Sequence, residues 1–291
     1  MTESAALFID SRCRLGEGPM WNQLRQQLFW FDILEKTLFA ADTDGKIVGK
    51  WTFDRFTSAA GIVDRDTLVV AQAGGFAKLD LTTGKTTTFA SFEADLPDNR
   101  SNDGRVNPAG GFWVGTMDHG EVPYSGSVYQ WRAGQLKKLF TDIRIPNSTC
   151  FSPDGSIAYF TDTPNKIIMQ RKIDPKTGEP AGFWTVFADT SNIPGAPDGS
   201  VVDSEGYLWS ARWGGHRVVR FSPAGKVDRE IMVDATQVSC PAFGGPDLKT
   251  LYLTTASKTL SAEQLAREPH AGSVFKIDVG VAGLAETLVS L

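Results

Sequence analysis

Residues 107–115 read NPAGGFWVG, a tight turn followed at once by a short aromatic strand. Gly110 stands where a hairpin turn needs a positive φ. The same unit returns as SPDGS before Ile157 and as DSEGY before Leu208. Strand cores of this kind occur in six places: LFWF from Leu28, LVVA from Leu68, FWVG from Phe112, AYFT from Ala158, LWSA from Leu208 and LYLT from Leu251. Their spacing of roughly 40 to 50 residues is the period expected when four strands make one propeller blade.

Between the cores lie strand pairs, 127–131 with 136–140 around Gly134, and 218–221 with 227–231 around Pro223 and Gly225. One helix is expected, over 261–267, where Ser261 can cap and Ala262, Gln264, Leu265 and Ala266 favour the helical state. The expected fold is all-β, a six-bladed β-propeller, with a β-sandwich or a seven-bladed ring as alternatives. An open ring would expose a sheet edge. After the sixth core only 273–278 and 284–290 read as strands, so residues 5–10 are expected to complete the last blade.

The chain has 291 residues, is 41% hydrophobic and 22% charged, and carries 29 Gly and 15 Pro, the composition of an ordinary globular protein. No Ser/Pro-rich or charged linker divides it, so a single propeller domain over 1–291 is expected. The net charge of -5, without a basic stripe, speaks against nucleic acid as a partner and leaves a small molecule. The first residues lack a secretory pattern, no apolar run is long enough to span a membrane, and Cys13, Cys150 and Cys240 are odd in number and far apart. A cytoplasmic location and three structural thiols are expected. His119, His216 and His270 share no metal-type spacing and read as surface or loop residues.

Ten or eleven residues before each strand core lies the stretch that runs along the central channel. That position holds Glu17 in LGEGPMW, Asn102 in NRSNDGR, Asn147 in IPNSTC and Asp198 in GAPDGS, with Ser58 and Cys240–Pro241 in the other two blades. Taken singly, each has an ordinary structural explanation, a turn carboxylate, a strand-end amide or an Asx-turn. Independent turn residues have no reason to share one phase, so the four are expected to converge on one channel mouth. Polar groups in a narrow funnel are costly unless paired or bound to something. Their donors are all oxygens, which favours one divalent cation, Ca²⁺, Mg²⁺ or Mn²⁺, with Zn²⁺ less well matched.

LGEGPMW, SNDGRVNPAGGFWVGTM, IPNSTCFSPDGSIAYFTDT, PDGSVVDSEGYLWSARWGGHRVVRFSPAGK and CPAFGGPDLKTLYLTTAS together resemble the SMP-30/gluconolactonase/regucalcin family along nearly the whole chain. The resemblance implies a six-bladed propeller that binds one divalent cation and hydrolyses a sugar lactone. It implies Glu17, Asn147 and Asp198 as metal ligands, Arg100 and Asn102 as substrate contacts, and Glu121, in MDHGEV, as a weaker substrate-binding candidate. The family often has an aromatic residue between that Arg and Asn; this chain has Ser101.

A bound cation can polarise a lactone carbonyl and acidify water. Asp198 is the expected catalytic general base, since an amide such as Asn147 does not usefully accept a proton. Arg100 would stabilise charge developing on the carbonyl oxygen, its ordinary explanation being a loop salt bridge to Asp98 or Asp95. Asp103 is expected to turn away from the face of Asn102 and serve as support. Two other functions compete: another propeller esterase or phosphotriesterase, and a metal-binding regulatory protein without catalysis.

Overall fold

The computed structural model describes residues 3–291 as six sheets, antiparallel but for one added edge strand, that close into a ring, a six-bladed β-propeller. The innermost strands are Gly16–Asn22, Thr57–Ile62, Asn99–Val106, Pro146–Phe151, Ala196–Val202 and Val238–Gly244, each packed on the next, the last on the first. The aromatic cores form the second strand of every blade, for example Gln27–Asp32 and Phe112–Asp118. Both proposed strand pairs form as read, and the helix Ala262–Arg267 is capped by Ser261, whose hydroxyl accepts from Gln264 N at 3.2 Å.

Six apolar clusters fill the six gaps between neighbouring blades. One joins Phe29, Phe31 and Leu38 of blade one to Leu68, Val70 and Ala77 of blade two; another joins Trp21, Trp30 and Ile9 to Tyr252 and Val274, sealing blade six to blade one. Trp21, Trp30, Trp113 and Trp209 are all fully buried in these wedges. Burial of this kind stabilises by roughly 25 cal/mol per Å² of apolar surface, and no blade offers such a surface without its neighbour.

Ala6–Ile9 pairs antiparallel with Val274–Asp278 and becomes the outer strand of blade six, within the stretch expected to close the ring. Just before it, Glu3–Ser4 pairs parallel with the outer strand of blade five, Val227–Met232. The expectation of a strand over 284–290 is not met, because the outer edge of blade six is already taken by Ala6–Ile9. The segment instead crosses the end of the channel toward which the innermost strands run. Glu286 pairs with Arg105 at 2.7 Å and its carbonyl accepts from Gln23 Nε2 at 2.8 Å, while Val289 N and Ser290 N donate to Ile62 and Gly110 at 2.7 and 2.9 Å. A void of about 10 Å³ remains beside Asp103, Arg105, Cys240 and Glu286, room for about one water, and another of about 60 Å³ lies between residues 284–287 and Cys150, Val201 and Phe243.

Among the described residues no helix is long and apolar enough to cross a membrane. All three cysteines are buried free thiols, and burial pushes the Cys13 thiol up to about 12.

Deleting residues 1–10 would leave Val274–Asp278 as a bare sheet edge and strip Ile9 from the wedge between blades six and one. The expected outcome is a fall in Tm of roughly 10 °C or more with concentration-dependent self-association, read by calorimetry and light scattering.

Candidate active site

At one level of the channel every innermost strand breaks register with its neighbour: between Glu17 and Met20, Thr57 and Ala59, Ser101 and Gly104, Asn147 and Cys150, Pro197 and Ser200, and Val238 and Cys240. Such bulges re-aim side chains that plain alternation would send elsewhere. The result is one cavity of about 300 Å³ lined by Glu17, Arg100, Asn102, Glu121, Asn147 and Asp198. All six site residues named from the sequence therefore meet in one place. Ser58 and Cys240 occupy the same level without lining the cavity; Ser58 donates to Ser101 Oγ at 2.8 Å.

Two cavity groups, Glu17 and Asn147, are brought to this level by a shared device. Asp32, at the end of the second strand of blade one, accepts Arg14 N at 2.8 Å and Leu15 N at 3.1 Å; Asp162, at the same point of blade four, accepts Arg144 N at 3.1 Å and Ile145 N at 2.8 Å. Each clamp fixes the chain two residues before a cavity group, Glu17 or Asn147. Gly18, at φ +54°, lies against the Ser58 carbonyl where a Cβ would collide, so the strand bearing Glu17 can approach its neighbour closely.

Glu17 and Asp198 are 8% and 5% exposed, and neither has an ion-pair partner among the described residues. Burial, with repulsion from Asp103, pushes the Glu17 carboxyl up to about 8, and burial followed by the Glu17 charge raises Asp198 well above the ordinary carboxylate range. Arg100 is 3% exposed and held down at about 10 by burial, and its Nε finds no partner. Its Nη1 donates to Asn102 Oδ1 at 2.8 Å and to Ser101 O at 2.9 Å, so the alternative salt bridge to Asp95 or Asp98 does not form. Asn102 Nδ2 donates to Pro146 O at 2.9 Å and to Asn147 Oδ1 at 3.1 Å, and Asn147 Nδ2 donates to Thr163 Oγ1 at 2.8 Å. Thr163 in turn donates to Pro197 O at 2.9 Å.

Two buried carboxylates without a contact ion pair, beside an amide oxygen, form a donor set that suits a hard divalent cation. Asp103 does turn away from this cavity, accepting Thr149 N at 2.6 Å, though a bulge rather than simple alternation turns it. Ser101, in place of the family's aromatic residue, donates to the Ala71 carbonyl at 2.9 Å between blades two and three. None of the three histidines lines the cavity; His119 stacks on Phe56.

Sequence reasoning missed Thr163, Trp213 and Lys258, which also line the cavity. Lys258 Nζ pairs with Glu121 Oε1 at 3.1 Å, joining a loop after blade three's second strand to one after blade six's second strand. The motifs FWFD and YFTD share a phase that would have pointed to the two clamps; nothing local marked Lys258.

The family model for the SMP-30/Gluconolactonase/LRE-like region matches residues 15–257. The chain is 38% identical to an L-arabinolactonase of Azospirillum brasilense, over 97% of this chain and 94% of that protein. It is 34% identical to a 6-deoxy-6-sulfogluconolactonase of Pseudomonas putida, over 99% of both. Among solved structures it is similar to a calcium-binding protein, regucalcin, from Agrobacterium tumefaciens str. C58, with a TM-score of 0.97 and 37% identity over 100% of this chain and 99% of that one.

A carboxyl raised by folding costs nothing where it is protonated in both states, and its penalty grows as pH rises from its ordinary 4.5 through about 8. In chelator-treated protein Glu17→Gln is therefore expected to raise Tm by roughly 5 °C or more at pH 8 and to leave it unchanged near pH 4. Added divalent cation should reverse the order at pH 8 by stabilising only the parent chain, as thermal melts at the two pH values would record.

Proposed function

The chain belongs to the SMP-30/gluconolactonase/LRE-like family, and from that premise we propose that it is a sugar lactonase, hydrolysing the ring ester of an aldonolactone to the aldonic acid. The observation that carries this reading is the convergence of Glu17, Asn147, Asp198, Arg100 and Asn102 on one cavity whose two buried carboxylates have no ion-pair partner in contact among the described residues. The relatives called L-arabinolactonase and 6-deoxy-6-sulfogluconolactonase support it.

Glu17, Asn147 and Asp198 would hold a divalent cation through oxygen atoms. Such a cation, when bound, supplies Lewis-acid polarisation of the ester carbonyl. Asp198 takes a proton from the attacking water as the water oxygen bonds to the carbonyl carbon. When the ring C–O bond breaks, Asp198 returns that proton to the leaving ring oxygen, and the balance closes with one water consumed. Arg100, which lines the cavity, stabilises the negative charge on the carbonyl oxygen while the intermediate lasts.

Asn102 has given both amide hydrogens to Pro146 and Asn147, so it offers the substrate only the remaining acceptor capacity of Oδ1. It therefore orients a sugar hydroxyl by accepting from it. Glu121 does the same from the cavity mouth, steadied by Lys258. The partly apolar wall, with Leu15, Met117, Ile145 and Trp213, suits the carbon face of a sugar ring.

A second reading, a cation-binding protein without catalysis, draws on the relative described as calcium-binding regucalcin. Hydrolysis separates the two. Asp198→Ala and Asp198→Asn are expected to lower kcat for aldonolactones by about 10²–10⁴-fold, followed as acid release. Stripping divalent cations with a chelator should abolish turnover, and adding back calcium, manganese, magnesium or zinc one at a time should restore it. Acid release by the parent chain no faster than the uncatalysed reaction would leave only the non-catalytic reading standing, whereas equal catalysed rates for the parent and both variants would remove Asp198 from its role.

A further inference from the structure

The hydrogen bonds around the cavity form one continuous series, and its two ends fix the direction of every member. A guanidinium can only donate, so Arg100 Nη1 at 2.8 Å from Asn102 requires that amide to present its oxygen to Arg100. The Asn102 nitrogen then faces Asn147 at 3.1 Å and obliges Asn147 to answer with its own oxygen. The Asn147 nitrogen is left to donate to Thr163 Oγ1, at 2.8 Å. At the far end a backbone carbonyl can only accept, so the single Thr163 hydroxyl proton goes to Pro197 O at 2.9 Å, and its oxygen is free to accept from Asn147. No member can be reversed without setting donor against donor.

Thr163 thus touches two of the three ligand-bearing strands, at the Asn147 amide on one side and at the peptide before Asp198 on the other; Ser148 Oγ, which donates to Asp198 O at 2.7 Å, ties the same two strands but leaves the Asn147 amide untouched. It sits at the start of a short 3-10 turn, Thr163–Asn165, and its backbone is anchored by its own N–H to Ile145 O at 3.1 Å. Within the cation-holding reading proposed above, on which this inference rests, we propose that Thr163 is a positioning residue. Its hydroxyl keeps the Asn147 oxygen turned toward the cation, and keeps the Asp198 peptide at the matching height. Without the hydroxyl the Asn147 nitrogen loses its only acceptor. The amide can then satisfy that nitrogen by turning it into the cavity, where the carboxylates accept it in competition with the cation.

The test is calorimetric titration of the chelator-treated full chain with calcium chloride and with manganese chloride, comparing the parent with Thr163→Val, Thr163→Ala and Thr163→Ser. Valine and alanine are expected to weaken cation binding by roughly 10–100-fold, whereas serine, which keeps the hydroxyl, stays within a few-fold of the parent. Melting curves without cation report any general loss of fold. If valine does not fold, the alanine and serine variants decide between themselves. Equal affinity in those two overturns the role given to Thr163 while leaving the cation site intact. A parent chain that takes up neither cation overturns both, and is a different result.

Discussion

Glu17 and Asp198 stand on the inner strands of blades one and five, buried and without a cationic partner among the described residues, each disfavoured by burial and Asp198 further by the charge of Glu17. Left to itself such an arrangement would relax by parting of the strands. That is not available to a closed ring, because separating two blades means opening one of the six apolar wedges. The apolar frame therefore holds the carboxylates in an unfavourable arrangement, and it is on this arrangement that the proposed cation binding rests.

That frame is stiff for reasons visible at its seams. Residues 3–9 bridge blades five and six before the chain enters blade one, so the joint between the two ends of the chain is no weaker than the others. On the wet side of the wedges, the clamps by Asp32 and Asp162 and the directional bonds from Arg100 to Pro197 remove the remaining freedom of the cavity groups. Chains of bonds that polarise one another in one direction are harder to break singly than isolated ones.

Much of this was legible in the sequence, because strand cores such as LFWF and LYLT carry the propeller period in their own residues. Radial symmetry turns that period into position, which is why Glu17, Asn102, Asn147 and Asp198 come together although the first and last stand 181 residues apart in sequence. The bulges that aim them were not legible, since a slip of register depends on both strands of a pair. Thr163 and Lys258 were missed for a related reason: they sit on loops beyond the repeat, where phase carries no information. The strand expected at 284–290 failed because an apolar stretch shows that it seeks burial, not which edge is vacant; Ala6–Ile9 had already taken that edge.

The segment around Glu286 has one more effect. With Arg105 and Glu286 joined across the axis and Val289 seated near Val106 and Gly61, the pore through the ring becomes a cul-de-sac. Whatever is consumed and whatever is made share a single doorway, flanked by Glu121 and Lys258. Turnover in such a blind chamber is sequential traffic: the departing molecule must vacate the threshold before the next can arrive.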